Sequence, residues 1–142
     1  MNHRDTERTE AHEKRLTECI IGAAIRVHRE LGPGLLESIY ERCLAIELEL
    51  RHRTVQRQVA MPLNYRGLPV GCGFRADLVV DNRVLVEVKA VERLERVHLA
   101  QVLTYLRVAN LRVGLILNFN VPVLVGGLKR VINGYDRSAL PL

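Results

Sequence analysis

The chain has 142 residues, 48% of them hydrophobic and 26% charged, the balance of one globular domain with room for a real core. Three widely spaced cysteines, Cys19, Cys43 and Cys72, exclude a disulfide framework and a Cys-x-x-Cys zinc site. No apolar run approaches a membrane span and the start is polar, unlike a secretory signal, so a cytoplasmic location is the default expectation; the formal charge of +5 permits attraction to phosphate without establishing it.

Residues 1–15 form a polar segment, expected to be frayed, loosely helical or disordered. A single domain is expected over 16–135, followed by a tail over 136–142. From Leu16 the apolar positions Ile20, Ala23, Ala24, Val27 and Leu31 recur at helical spacing. Gly32-Pro33-Gly34 breaks that helix. A second follows to about Arg51, with Leu35, Leu36, Ile39, Cys43, Ile46 and Leu50 expected as its inner stripe. Thr54 to Tyr65 reads as a strand in which Pro62 marks an edge or an irregularity. Arg66-Gly67 turns the chain into a second strand ending at Val80, and residues 84–89 form a third. Val91 to about Ala109 reads as a long helix, Val113 to Phe119 as a buried strand, and Leu128 to Ile132 as a short last one. A helix between the third and fourth strands suits a right-handed crossover to a parallel neighbour. The expected fold class is therefore α/β, or α+β with a mixed sheet. It has two N-terminal helices, an antiparallel three-strand meander, a crossover helix and a parallel strand.

The stretch richest in chemistry runs from Phe74 to Lys89. Asp77, Glu87 and Lys89 interrupt two runs that otherwise read as buried strands, and a buried charge needs a cation or a hydrogen-bond network. Glu87 and Lys89 are two apart and share a strand face, while Val86 and Val88 point the other way. If residues 81–83 form a three-residue loop, Asp77 falls opposite Glu87; a two-residue loop would pair it with Val86. Two carboxylates and an ammonium on one face suit a hard divalent metal beside a positioned nucleophile. The same pattern also describes a solvated face or a cross-strand ion pair. Of 21 basic residues only Lys14, Lys89 and Lys129 are lysine, and a lysine inside a strand of an arginine-rich chain points to a compact ammonium with a task.

Glu37 lies one turn before Glu41 and three residues before Tyr40. It is also placed to favour a helix N-terminus. Gln101 and Tyr105 are one turn apart, with His98 before them, in a polar row beside Leu99, Val102, Leu103 and Leu106. That row marks the core boundary, whether its side chains are satisfied locally or reach a substrate. His28 reads as structural.

Gly34-Leu35-Leu36-Glu37-Ser38-Ile39-Tyr40 carries the spacing Gly-x-x-Glu-x-x-Tyr. Together with Val27-His28, Arg75-Ala76-Asp77-Leu78, Glu87-Val88-Lys89-Ala90 and Gln101-Val102-Leu103-Thr104-Tyr105, it resembles the GxxExxY proteins of the PD-(D/E)XK nuclease superfamily, from roughly Cys19 to Asn133. One departure is Ala76, which stands where the superfamily name has proline. The resemblance implies a restriction-endonuclease-like core and a metal-dependent nuclease. Asp77, Glu87 and Glu37 would be ligands of Mg²⁺ or Mn²⁺, with the Val88 carbonyl as another. Lys89 would orient the attacking water, and Gln101, Tyr105 and Arg75 would contact nucleic acid, DNA before RNA. A homodimer or a protein partner is compatible with so small a chain. The alternative is a non-catalytic nucleic-acid- or protein-binding module that keeps the fold.

Overall fold

The computed structural model describes residues 3–134; the tail expected over 136–142 lies outside them. Helix α1 (His3–Leu31) is continuous, so of the two expectations for the polar segment, frayed or helical, residues 3–15 follow the helical one. Arg112 ties its early part to the sheet, reaching Glu10 at 3.6 Å and Glu13 at 3.1 Å. Such long-range charge pairs leave no periodic trace in sequence. Further along, Leu16, Ile20, Ala23, Ala24 and Val27 form the buried face.

Helix α2 (Glu37–Leu50) departs from the expected orientation. Its buried residues are Tyr40, Glu41, Leu44, Ala45 and Leu48, whereas the expected inner stripe faces outward, with Leu36 at 73% and Leu50 at 71% exposure. Tyr40 sets the rotation. Its ring stacks on Phe119 with centroids 4.5 Å apart, and its hydroxyl donates to the Gly32 carbonyl at 2.5 Å and accepts from the Leu35 N–H at 3.0 Å. These bonds fold the Gly-Pro-Gly turn back onto α2 and fix where Glu37 emerges.

Five strands form one sheet in the order β1-β2-β3-β4-β5. Strands β1 (Val55–Tyr65) and β2 (Leu68–Val80) make a hairpin whose turn residues Arg66 and Gly67 both have positive φ. The β1–β2 register shifts at Pro62, which sits in the edge strand where its missing N–H is tolerated. Strand β3 (Val84–Lys89) follows β2 through a three-residue loop, since Val80 pairs with Val84. Helix α3 (Arg96–Ala109) then crosses over to β4 (Val113–Asn118), which runs parallel to β3, and β5 (Leu128–Ile132) closes the other edge antiparallel to β4.

Helices α1 and α2 cover one sheet face, packing on Val84, Val86, Val88, Leu115 and Leu117. Helix α3 covers the other, against Val79, Leu85 and Ile116. Burial on both faces explains why β3 and β4 are apolar at nearly every position. Gly114 lets α3 approach closely: a Cβ there would lie 2.9 Å from Val102.

Helix α3 starts at Arg96, five residues after the expected Val91. The buried Asn118 amide accepts from the Val91 N–H at 3.1 Å and donates to the Val91 carbonyl at 2.9 Å, which keeps this segment extended. The helix begins behind a capping box in which the Glu95 N–H donates to His98 Nδ1 at 2.9 Å. His98 is thereby a cap.

Candidate active site

The β2–β3 register carries Asp77 opposite Glu87, the arrangement that the three-residue loop requires. The ladder opens there. Backbone pairing of β2 with β3 covers Leu78–Val80 only, and beyond it side chains replace main chain. The Asp77 N–H donates to Glu87 Oε1 at 3.1 Å, and the Val88 N–H donates to Asp77 Oδ2 at 2.8 Å.

A second irregularity aims Asp77. Gln58, across from it in β1, has φ +50 and breaks the ladder between the Arg57–Leu78 and Val59–Ala76 pairs. Strict alternation would put Ala76 and Leu78 on one face, yet Ala76 packs on the α3 side and Leu78 on the α1–α2 side. Val55 and Val59 divide in the same way. Both strands therefore change face at Gln58 and Asp77, which turns Asp77 toward α2. There it lines a cleft of about 520 Å³ with Glu37, Glu41, Gln58 and Val88. Gln58 Nε2 donates to Asp77 Oδ1 at 3.3 Å and to Glu41 Oε1 at 2.6 Å.

Burial, reinforced by the Asp77 charge, pushes the Glu87 carboxyl up to about 8. Asp77 is also raised, first by burial and then by Glu41, while the Val88 N–H, Lys89 and Gln58 pull it back. Lys89 is half-buried and favours the charged form of both carboxyls without forming an ion pair with either. Leaving two adjoining acids here destabilises the fold in proportion to their charge, which a bound cation would relieve.

Glu37 lines the same cleft, where its carboxylate accepts from the Ala90 N–H at 3.0 Å, just past Lys89. Among the described residues, no group of three or more His, Cys, Asp or Glu side chains stands ready to hold a metal ion; Asp77 and Glu87 are a pair. Tyr105 lies near them. Its ring stacks on Phe74 with centroids 3.8 Å apart, and burial, then Glu87 and Asp77, raises its hydroxyl. Gln101 is exposed one turn earlier on α3, and Arg75 is exposed on β2 two residues before Asp77. His28 bonds the Val121 carbonyl at 2.8 Å, a structural role.

Two site residues stood outside the sequence-based set. Glu41, 6% exposed, accepts from Gln58 and from Arg57 at 3.3 Å, and it bears on the Asp77 carboxyl. Its i+4 spacing from Glu37 was the available signal. Gln58 had none, because its role depends on a local backbone reversal.

A model of the PD-(D/E)XK nuclease superfamily matches residues 14–131, and the chain belongs to that superfamily. Its mixed sheet and three helices form a restriction-endonuclease-like core. Nucleases of this superfamily generally use divalent metal ions. Neither a curated protein nor a solved structure matches the chain. Among the described residues no helix is long and apolar enough to cross a membrane.

Proposed function

We propose that this chain is a divalent-metal-dependent phosphodiester hydrolase acting on nucleic acid, DNA before RNA, and that it stands with the GxxExxY proteins within its superfamily. The observation that carries this reading is the Asp77–Glu87 pair: two adjoining carboxyls, Glu87 buried and Asp77 half-buried, both raised, where the sheet opens beside a cleft and an ammonium lies close. Such a pair weakens the metal-free fold, and functional sites are where that arrangement concentrates.

The all-oxygen donor set fits a hard ion such as Mg²⁺ or Mn²⁺; Asp77 and Glu87 would hold it, with Glu37 and the Val88 carbonyl as further ligands. When bound, the ion supplies polarisation of the scissile phosphate and a lowered pKa for the attacking water. Lys89 donates hydrogen bonds to that water and to the phosphate oxygens, and its charge opposes the negative charge that grows there. Gln58 and the Val88 N–H hold the Asp77 carboxylate in one orientation. Tyr105 and Gln101 on α3, with Arg75 on β2, contact the nucleic acid.

The test is cleavage of single- and double-stranded DNA and RNA in Mg²⁺ and Mn²⁺, with EDTA and Lys89→Ala as controls. Metal-dependent cleavage lost in Lys89→Ala is the expected result. Cleavage persisting in that variant would trace to a contaminant and leave the proposal without support.

The Glu37–Ala90 hydrogen bond favours a second reading, in which Glu37 braces the fold and the chain is a non-catalytic nucleic-acid- or protein-binding module. No cleavage of any substrate, with no response of thermal stability to Mn²⁺, would select it.

A further inference from the structure

The outward face of α2 is apolar where a solvent-facing helix surface is normally polar. Ile39, Ile46 and Leu50 are 42%, 49% and 71% exposed, and the half-buried Cys43 lies in the same row. Leu31, at the end of α1, and Leu36 extend the patch at 36% and 73% exposure. Single exposed apolar residues need no explanation, but a contiguous patch of this kind marks an interaction surface.

The pattern within the patch identifies its occupant. The positions Ile39, Cys43, Ile46 and Leu50 are separated by 4, 3 and 4 residues, the seam spacing of packed helices. That spacing reads the same in both directions, so an antiparallel copy of the row matches the row itself. Arg42 and Glu49, seven residues apart and so on one flank of the seam, are both exposed. Neither side chain has an ion pair or hydrogen bond among the described residues. In an antiparallel pair, corresponding flanks meet, which brings each Arg42 beside the other copy's Glu49. A two-fold interface demands this reciprocity; an unrelated partner does not.

We propose that the chain forms a homodimer in which α2 packs antiparallel against α2 of a second copy. Ile39 meets Leu50, Cys43 meets Ile46, and two Arg42–Glu49 pairs flank the seam. The seam lies on the side of α2 opposite Glu41, so dimerisation leaves the Asp77–Glu87 cleft open.

Sedimentation equilibrium of the full chain across the micromolar range tests this without reference to hydrolysis. The wild-type chain should be dimeric, and Ile46→Glu should be monomeric with an unchanged far-ultraviolet circular dichroism spectrum, since that side chain is half exposed in the protomer; its melting temperature should fall only by the association lost. Arg42→Glu and Glu49→Arg should each weaken the dimer about tenfold by replacing two attractions with two repulsions. The double variant Arg42→Glu/Glu49→Arg should restore it. A monomeric wild type, or a dimer that survives Ile46→Glu, would overturn the proposal. Failure of the double variant to restore assembly would overturn the antiparallel register.

Discussion

Replacing Glu87 by glutamine should stabilise the metal-free protein at alkaline pH and remove its main pH dependence near neutrality. Glu87 titrates ordinarily at 4.5 and is pushed up to about 8 in the fold by burial and by Asp77. The native state therefore keeps a proton that the unfolded chain releases across this window. With more protons bound natively, unfolding free energy falls as pH rises from about 4.5 to about 8. The slope cannot exceed about 1.36 kcal/mol per pH unit for one group, so the ceiling over the window is about 5 kcal/mol. Water penetration and sharing of the proton with Asp77 bring the expected loss nearer to roughly 2–3 kcal/mol. Glutamine mimics the protonated acid: its oxygen can still accept from the Asp77 N–H, and its amide can donate to the Asp77 carboxylate. Urea unfolding in EDTA from pH 5 to 9 should show the wild type losing stability and Glu87→Gln staying nearly level. A level wild-type curve, or the same slope in both proteins, would refute the assignment of the raised carboxyl to Glu87.

Saturating Mn²⁺ should raise wild-type stability by about 2.7 kcal/mol at a hundredfold excess over Kd, and differential scanning fluorimetry should show the shift absent in Asp77→Ala and kept in Lys89→Ala. Tyr40→Phe keeps the ring on Phe119 but loses the hydroxyl bonds to Gly32 and Leu35; chemical denaturation should report a loss of about 1–3 kcal/mol, with a weaker Mn²⁺ response because Glu37 is no longer held. Tyr105→Phe should leave the melting temperature nearly unchanged while slowing cleavage, whereas Tyr105→Ala also removes the stack on Phe74 and should cost about 2–4 kcal/mol in the same unfolding assay.

The strands and the carboxylate register were legible because they rest on local signals. The Arg66-Gly67 turn and the alternation in β3 narrowed the partner of Asp77 to Glu87 or Val86, and the three-residue loop before Val84 selects Glu87. Helix α2 was not legible in the same way. Its sequence carries two apolar stripes at helical spacing, and the one that is buried is fixed by tertiary contacts: the Tyr40–Phe119 stack, the Glu41–Gln58 bond and the core packing of Leu44, Ala45 and Leu48. The start of α3 was hidden for a similar reason: Asn118, 27 residues beyond Val91, holds that residue out of the helix. Arg112, nearly a hundred residues away from Glu13, ties the early part of α1 to the sheet through Glu10 and Glu13. The change of face at Gln58 and Asp77 requires a positive φ at a glutamine, which propensity argues against. Without it Asp77 would not line the cleft.

The open ladder at the carboxylates gives the molecule a built-in reporter. The amide protons of Asp77 and Val88, which in an unbroken sheet would be locked to neighbouring carbonyls, are bonded instead to acidic side chains that a cation would claim. A carboxylate has lone pairs enough to accept an N–H and ligate a cation together, so filling the site would polarise both main-chain bonds without breaking them. Nitrogen-15 chemical shifts and exchange rates at these two positions should follow occupancy directly, ahead of any substrate.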